Sequence, residues 1–321
     1  MAEILDTVLL LALPASGKSE VRKYLAGMSP EVCKRDFHMG ETVQLDDFPY
    51  VHMMRQLDVA LGALGKPSVF FHAGDRPFKD PRDWGTLIHL VNEDHADLIA
   101  KKSKKPESAA QWLLKRFDAA RKKVGAPAVF VALDKATQDA VCDKLEKEAQ
   151  ALLTDKLGNY PTSLKGKTLV IEFARGGAQG SAMPLSPPFG YAYSIGELSP
   201  KILSKACILY IWVTPEESRR KNDARANPDD PGSILHHGVP IEVMLKDYGC
   251  DDMAHLIERS DQPDTVRIEA HGKTYHLPVA RFDNRTDKTS FVRNDRKDWK
   301  PAEIQALHDG LKGALGRLAK A

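Results

Sequence analysis

Hydrophobic runs that are typical of buried strands alternate with helical periodicity along most of the chain. Residues 7–13 form a nearly continuous aliphatic run, as expected for a strand buried on both faces of a sheet. Apolar residues at helical spacing follow at 20–28, and the alternation resumes near residue 168. This pattern predicts an α/β fold with a mainly parallel sheet. Strands are predicted at residues 7–13, 41–45, 168–173, 206–213, 266–270 and 273–277, with 279–282 continuing as the last core strand.

Residues 50–165 interrupt this alternation as a long, largely helical insertion. Apolar spacing predicts helices at 51–64, 84–100, 107–124 and 136–157. A short strand is predicted at 68–72, whereas 129–133 fits either a strand or a helix. No internal repeat is predicted, and the whole chain, 1–321, is expected to form a single domain.

The end of the chain carries two further structural signals. His271 and Gly272 separate two strand-like runs, which indicates a hairpin. One apolar stripe at helical spacing then predicts a closing helix. The stripe consists of Ile304, Leu307, Leu311, Leu315 and Leu318.

Charge and cysteine content exclude some classes of protein. The chain has 321 residues, with 46 Lys plus Arg against 44 Asp plus Glu, which is too balanced for a protein that mainly coats nucleic acid. Its hydrophobic fraction of 42% is too high for a fully disordered chain. The four cysteines lack zinc-knuckle or CxxC spacing, and no run approaches the length of a membrane span. We therefore expect a cytoplasmic protein without a membrane partner.

The segment between the first strand and the first helix carries the most informative motif. Gly17, Lys18 and Ser19 match the end of the phosphate-binding pattern G-x-x-x-x-G-K-[ST], whereas Ala12 replaces its first glycine. In such a loop, backbone N–H groups and the positive end of the helix surround a phosphate. Lys18 would reach the β- and γ-phosphates, and the Ser19 hydroxyl would bind Mg²⁺. The nucleotide-binding candidates are Pro14, Ala15, Ser16, Gly17, Lys18, Ser19 and Glu20.

With the form Leu-Pro-Ala-Ser-Gly-Lys-Ser at 13–19, the chain resembles the P-loop kinases, which include nucleotide, nucleoside, small-molecule and zeta-toxin-like kinases. The resemblance covers the core elements but not the insertion. It implies a three-layer sandwich with a five-stranded, mostly parallel sheet of order 2-3-1-4-5, and a nucleotide at the carboxyl ends of the strands. It also implies ATP and Mg²⁺ as cofactors, with the insertion as a cap on the acceptor side of the cleft.

Asp46 and Asp47 end the second predicted strand. In kinases similar to this chain, an acidic residue at this point accepts the proton of the attacking hydroxyl or helps to hold Mg²⁺, and a carboxylate suits both roles. Asp46 is the first candidate because it is closer to the strand end. The alternative is that Asp47, or both residues, only cap the following helix.

Glu172 lies within the strand predicted at 168–173, and Arg175 follows it. A carboxylate at the end of a buried strand is costly unless it is paired or bound to a metal. Glu172 is therefore a candidate Mg²⁺ ligand, and Arg175 a candidate to bind a substrate phosphate or an acid of the site. The two resemble the Glu-Arg strand ending of nucleoside kinases, although two residues separate them here. The alternative is a Glu172–Arg175 ion pair that only closes the strand end.

Residues 214–238 are the predicted lid. Thr214 with Glu217 forms a capping-box pattern, and the helix that follows is rich in arginine. The resemblance implies that Arg219 and Arg225 fold over the phosphates and stabilise the transferring group. The alternative is a solvated cationic helix face.

Two loops are further candidates. Asn284 follows the last core strand, where similar kinases border the adenine base, although Asp283-Asn284 is also ordinary turn chemistry. The loop at 248–252 carries two acids and is a candidate for substrate contact.

The function expected from these features is ATP- and Mg²⁺-dependent transfer of the γ-phosphate to a hydroxyl or phosphate of a small-molecule acceptor. One alternative is an NTPase switch that acts on a partner protein. The other is a polynucleotide end kinase that uses the lysine-rich turn at 101–105. A solvated turn is the favoured interpretation of that lysine run, so nucleic acid is not the favoured partner. The sequence identifies neither the acceptor nor the oligomeric state.

Overall fold

The computed structural model of the chain describes residues 4–102, 105–225 and 238–321, except the side chain of Arg225. Its strands are β1 (Thr7–Leu11), β2 (Glu41–Asp46), β3 (Lys167–Phe173), β4 (Ala206–Trp212), β5 (Thr265–Ala270) and β6 (Lys273–Asp283). Its helices are α1 (Lys18–Ala26), α2 (Pro30–Phe37), α3 (Phe48–Ala63), α4 (Asp83–Ala100), α5 (Ala109–Lys123), α6 (Lys135–Gly158), α7 (Gly190–Gly196), α8 (Pro200–Leu203), α9 (Pro215–Arg225), α10 (Ile241–Lys246), α11 (Met253–Arg259) and α12 (Pro301–Leu318). Short 3₁₀ turns lie at Ser290–Arg293 and Arg296–Asp298.

The strands form one sheet in the order β2-β3-β1-β4-β6-β5, with every neighbouring pair parallel except β5 and β6. The predicted mainly parallel α/β fold is confirmed, but the described sheet has six strands rather than five. The difference arises at the predicted hairpin, where His271 (φ 53°) and Gly272 (φ 69°) make a tight turn. The long β6 pairs with β4 through its second half and with β5 through its first, so β5 becomes an antiparallel edge strand.

Alternate residues of the central strands pack into two separate cores, one on each face of the sheet. Leu9 and Leu11 of β1 contact the core formed with α4, α7, α8 and α11, whereas Val8 and Leu10 contact the core formed with α1, α2 and α12. Because side chains of a strand alternate between faces, a strand buried on both sides must be apolar at every position. This explains the continuous aliphatic run at the start of the chain.

The predicted insertion contains a bundle of four helices, α3 to α6, with a core of its own. In this bundle α5 packs against α4 and α6, and α3 packs against α6. The strand predicted at 68–72 is wrong, since only an isolated bridge joins Phe71 to Phe78. Residues 129–133 likewise form bends and a turn rather than a strand or helix.

A carboxylate binds the backbone of each of these two segments. Asp58 accepts hydrogen bonds from the N–H groups of residues 69–71, at distances from 2.7 to 3.2 Å. Asp118 accepts from the N–H groups of residues 129–131, at 2.7 to 3.1 Å. These N–H groups are therefore unavailable for a strand ladder, although the residues are apolar enough to predict one.

The two carboxylate turns belong to an internal repeat, so the prediction of no repeat is wrong. Each turn follows a helix, contains a glycine with positive φ (Gly65, 68°; Gly125, 71°), and continues as Pro-x-Val-Phe. The similarity is confined to these turns and the helix end before each, because α5 packs closely on α6 whereas α3 and α4 have few contacts. Asp, Gly, Pro, Val and Phe recur at the same spacing in the two segments, so the sequence does carry the signal of this short repeat.

None of the helices in the described ranges is long and apolar enough to cross a membrane.

Asp118→Ala should destabilise the fold strongly, because it removes the acceptor of three backbone N–H groups at a side chain that is only 8% exposed. We expect a loss of about 3 kcal/mol in the free energy of unfolding, as is typical for hydrogen bonds to a charged group. Urea unfolding monitored by circular dichroism measures it. The matched control is Asp139→Ala, since Asp139 is 58% exposed and pairs only with Lys135; equal losses in the two variants would contradict this role for Asp118.

Candidate functional site

A cleft opens at the carboxyl ends of the parallel strands. The loop between β1 and α1 forms one side of it, and the bundle forms the other through α3 and the start of α4. The ends of β2 and β3 form its floor, and residues around α10 complete the wall. Sites in open α/β sheets commonly lie at this edge.

The loop between β1 and α1 has two residues in the left-handed region, Ala15 (φ 56°) and Gly17 (φ 104°). A side chain at Gly17 would be strained by this backbone conformation. It would also collide with what lies behind the loop, because a Cβ there would come within 2.4 Å of Thr289 Oγ1 and 2.9 Å of Asn284 Nδ2. The glycine of the motif is therefore required by the packing behind the loop.

Asn284 supports this loop from behind. Its side chain is fully buried, and its Nδ2 donates to Ser16 O at 2.7 Å and to Thr289 Oγ1 at 2.9 Å. Its Oδ1 accepts from the Lys288 N–H at 2.7 Å. We expected Asn284 to border a nucleotide base, but these bonds occupy its amide and make it a brace for the loop.

Lys18 lies at the first turn of α1, with its side chain folded back along the loop. Its Nζ is 3.2 Å from Ala12 O and 3.5 Å from Leu13 O, and the residue is 9% exposed. Ser19 is half-buried and lines the cleft. Glu20 was a nucleotide-binding candidate, but its buried carboxylate accepts a 2.6 Å hydrogen bond from Arg293. All three residues line the cleft, but the Glu20 carboxylate is paired with Arg293, so Lys18 and Ser19 are the better candidates to bind a nucleotide.

Asp46 and Glu172 lie side by side, because they are register partners at the ends of β2 and β3. Arg22 of α1 joins them, with its Nη1 2.7 Å from Glu172 Oε2 and 3.5 Å from Asp46 Oδ2. Burial, together with the charges of Glu172 and Asp47, raises the pKa of Asp46 to about 7, and Arg22 opposes this rise. Asp46 is thus a carboxyl that titrates near neutral pH at the floor of the cleft.

Arg175 and Asp47 form a buried ion pair away from this carboxylate pair. Arg175 is 2% exposed, and its Nη1 is 2.7 Å from Asp47 Oδ2. The alternative of a Glu172–Arg175 ion pair is therefore wrong, since Glu172 binds Arg22. The prediction that Arg175 could pair with an acid of the site is confirmed, because Asp47 lines the cleft. Asp47 does not cap α3 through its side chain; Asp46 Oδ1 instead accepts from the Phe48 N–H at 2.8 Å.

Arg175 cannot serve as the phosphate ligand that we expected, because the rest of its guanidinium is occupied. Nε donates to Ser194 Oγ at 3.0 Å, Nη1 to Ala174 O at 2.6 Å and Nη2 to Trp84 O at 3.2 Å. The group also lies over the ring of Trp84 at 5.0 Å. Arg175 therefore has a positioning role between the sheet and the bundle.

The start of the predicted lid is a firmly anchored helix. Thr214 Oγ1 accepts from the Glu217 N–H at 3.1 Å, so the Thr214 half of the predicted capping box is confirmed, whereas the Glu217 carboxylate binds Arg220. The fully buried Ser218 donates to Pro14 O of the loop at 2.7 Å, and the buried Lys221 binds Asp287 Oδ1 at 2.6 Å. Burial on α9 therefore holds this helix against the back of the loop.

The predicted lid arginines are not brought to the cleft within the described residues. Arg219 pairs with Glu216 at 3.2 Å and lies outside the cleft lining that the structure describes. The side chain of Arg225 and residues 226–237 lie outside the described residues, as does part of the lysine-rich turn at 101–105. The lid prediction for those positions stays a prediction.

Sequence reasoning missed Arg22 and most of the far wall of the cleft. Arg22 lies one helical turn after Lys18, and this spacing puts the two on one face of α1, which is a signal that the sequence does carry. In the loop at 248–252, Tyr248 lines the cleft, whereas Asp251 accepts from the Tyr210 hydroxyl and Asp252 from the Tyr191 N–H. The two acids of that loop are therefore structural, and Asp247 beside it is the acid that lines the cleft.

The pKa of Asp46 predicts a pH-dependent stability. Because the folded-state pKa of about 7 lies above the value of about 3.9 for an unfolded aspartate, the folded state keeps a proton that the unfolded state has lost. The contribution of Asp46 to stability is therefore complete below pH 4 and is lost as the pH rises to about 7. Relative to Asp46→Asn, the free energy of unfolding of the wild type should fall across this range and stay level above it.

Urea unfolding at a series of pH values measures this difference. The control is Asp134→Asn, since hydrogen bonds from Thr137 lower the pKa of Asp134 to about 2. The contribution of Asp134 to stability is lost only as the pH falls below about 4. The difference in the free energy of unfolding between the wild type and Asp134→Asn should therefore be level between pH 4 and 7. If the difference in the free energy of unfolding between the wild type and Asp46→Asn stays level over the same range, the folded-state pKa of Asp46 is not raised.

The chain matches no family model, and no curated protein is significantly similar to it in sequence.

Proposed function

We propose that this chain is an ATP- and Mg²⁺-dependent phosphotransferase that acts on the hydroxyl of a small molecule. One observation carries the proposal: the loop at 14–17, the first turn of α1 and the Asp46–Glu172 pair line the same cleft at the carboxyl edge of a parallel sheet. In this proposal the loop would bind the triphosphate, and Asp46, on the floor of the same cleft, would accept a proton.

The loop and α1 would bind the phosphates. Backbone N–H groups at the start of a helix, together with the helix dipole, attract an anion. Lys18 is close enough to turn from the carbonyls of Ala12 and Leu13 toward a bound phosphate, which would exchange two weak contacts for a charge-assisted one. The buried bonds from Asn284 and Ser218 would keep the loop in this shape before the nucleotide arrives.

The oxygen donors present fit Mg²⁺ in part. Mg²⁺ in nucleotide sites is usually held by one or two carboxylates together with substrate phosphates and water. Ser19 offers a hydroxyl, whereas the carboxylates of Asp46 and Glu172 both contact Arg22 and are the weaker candidates. The described residues contain no group of three or more His, Cys, Asp or Glu side chains placed to hold a metal. When bound, the ion would neutralise negative charge on the phosphates.

Asp46 would align the acceptor hydroxyl and take its proton. A general base works best when its pKa lies near the operating pH, and the pKa of Asp46 is about 7. Asp47 is the weaker candidate because its carboxylate is 6% exposed and bound to Arg175. Lys18 would neutralise part of the negative charge that develops on the transferring phosphoryl group. Arg175 is bound to Asp47, and Arg219 lies outside the cleft lining that the structure describes.

The walls of the cleft favour a small acceptor over an oligonucleotide. Beyond Asp46 the lining is dominated by apolar and aromatic side chains from α3, the 71–84 region and α10. Such walls suit the body of a small molecule better than a phosphate backbone, which basic grooves bind. A chamber of this kind also supports an acceptor substrate rather than an NTPase that only hydrolyses.

Lys18→Ala should weaken the binding of ATP·Mg²⁺ by roughly 10- to 100-fold, the equivalent of one charge-assisted hydrogen bond. The matched control is Lys23→Ala, an exposed lysine on the same helix and outside the cleft lining. Isothermal titration calorimetry measures both affinities, and circular dichroism verifies that both variants are folded. The same affinity for Lys18→Ala and the wild type would exclude the loop as the phosphate site.

A further inference from the structure

The acceptor side of the cleft contains a continuous wall of aromatic rings. Phe71 and Phe78 are stacked with ring centroids 4.4 Å apart, Phe78 meets Trp84 edge-on at 5.0 Å, and Trp84 meets Tyr248 edge-on at 5.5 Å. All four residues line the cleft. Such a wall offers ring faces and edges to a flat apolar body, and ring faces also attract cations.

Asp247 is a buried carboxylate next to this wall. It lines the cleft, is 5% exposed, and its Oδ2 has no hydrogen-bond partner among the described residues. Burial raises its pKa to about 7, because few neighbours compensate the charge. A buried carboxylate with an unpartnered oxygen requires a donor, and a cation compensates it best.

The other carboxylates of the cleft already have cationic partners. Glu20 binds Arg293, Asp47 binds Arg175, and both Asp46 and Glu172 contact Arg22. No ion pair to Asp247 is present in the described part of the chain. Asp247 is thus the acid whose charge the protein leaves for a ligand to neutralise.

Two neighbouring cations are engaged with other groups. Arg55 donates to Gly74 O and lies 4.0 Å above the ring of Phe71. Lys246 binds Glu242 at 2.7 Å. Both lower the pKa of Asp247, but neither contacts its carboxylate as an ion pair.

We propose that the acceptor is a ring-bearing amino alcohol, with its ammonium group on Asp247 and its ring against the aromatic wall. This inference rests on the proposed function for the transfer, and the binding itself does not require nucleotide. The acceptor hydroxyl extends along the cleft toward Asp46. There its oxygen bonds to the γ-phosphorus as the bond from that phosphorus to the β–γ bridging oxygen breaks. ADP leaves with the electron pair, and the hydroxyl proton goes to Asp46.

Matched probes separate the charge of the ligand from its shape. 2-Amino-1-phenylethanol, 1-phenylethanol and mandelate share a phenyl ring and a hydroxyl group but carry a positive, no and a negative charge, respectively. Cyclohexyl and naphthyl versions of the three form two further sets. Calorimetry or ligand-observed NMR in the absence of nucleotide should show that, in at least one set, the amine binds about 10-fold or more tightly than its neutral and acidic counterparts.

Asp247→Asn keeps the shape of the side chain and should abolish this preference for the amine. The control is Asp75→Asn, an equivalent change at an acid of the 72–77 loop that is 72% exposed and outside the cleft lining. It should keep the preference. Should Asp247→Asn fail to fold, the ranking of the three charges in the wild type still decides the question.

The inference is wrong if the neutral or acidic probes bind as tightly as the amines in every set, or if Asp247→Asn keeps the preference. ATP·Mg²⁺ titrated into the same samples distinguishes this failure from failure of the proposed function. Nucleotide binding without an amine preference would overturn only the acceptor class. An amine preference without nucleotide binding would instead overturn the phosphotransferase.

Discussion

The buried ion pair between Arg175 and Asp47 determines how the helical bundle of α3 to α6 packs against the sheet. Arg175 follows β3, Asp47 begins α3, and the same guanidinium also bonds the backbone of Trp84 in α4 and the hydroxyl of Ser194 in α7. A buried arginine is stable only where its donors are satisfied, and removal of one partner would leave an uncompensated charge. The pair therefore fixes the helical bundle against the carboxyl edge of the sheet.

This constraint also distributes the chemical roles within the cleft. Asp46 and Asp47 are neighbours in sequence, yet the pair with Arg175 takes Asp47 out of the solvent, while Asp46 remains 24% exposed beside Glu172 and Arg22. The chain thus separates a positioning carboxylate from one that can exchange a proton. On the opposite side, Gly17 can approach Thr289 and Asn284 closely, so the loop is shaped by contacts behind it and its front stays open.

The sequence predicted those features whose cause is local. The continuous aliphatic pattern of β1, β3 and β4 follows from burial on both faces, and the His271-Gly272 hairpin and the Thr214 cap follow from short-range backbone chemistry. The loop at 12–19 and the position of Asp46 at the edge of the sheet were also recognisable, because they depend on spacing and on the end of a strand. The Asp58 and Asp118 turns span only 11 to 13 residues, but no familiar turn pattern marks these aspartates as acceptors for the backbone. The orientation of Arg175 was not recognisable, since it depends on contacts with segments distant in sequence. The aromatic wall and Asp247 come from such segments as well, and no local pattern unites them.

The central claim is that the loop between β1 and α1 binds the triphosphate of a nucleotide. The most direct measurement is a crystal structure of the protein with Mg²⁺ and a non-hydrolysable ATP analogue. We expect the β-phosphate within hydrogen-bonding distance of backbone N–H groups of residues 15–19, with Lys18 Nζ moved from the carbonyls of Ala12 and Leu13 to the phosphates. A triphosphate bound elsewhere, or a loop without phosphate at a saturating concentration of the analogue, would contradict the account.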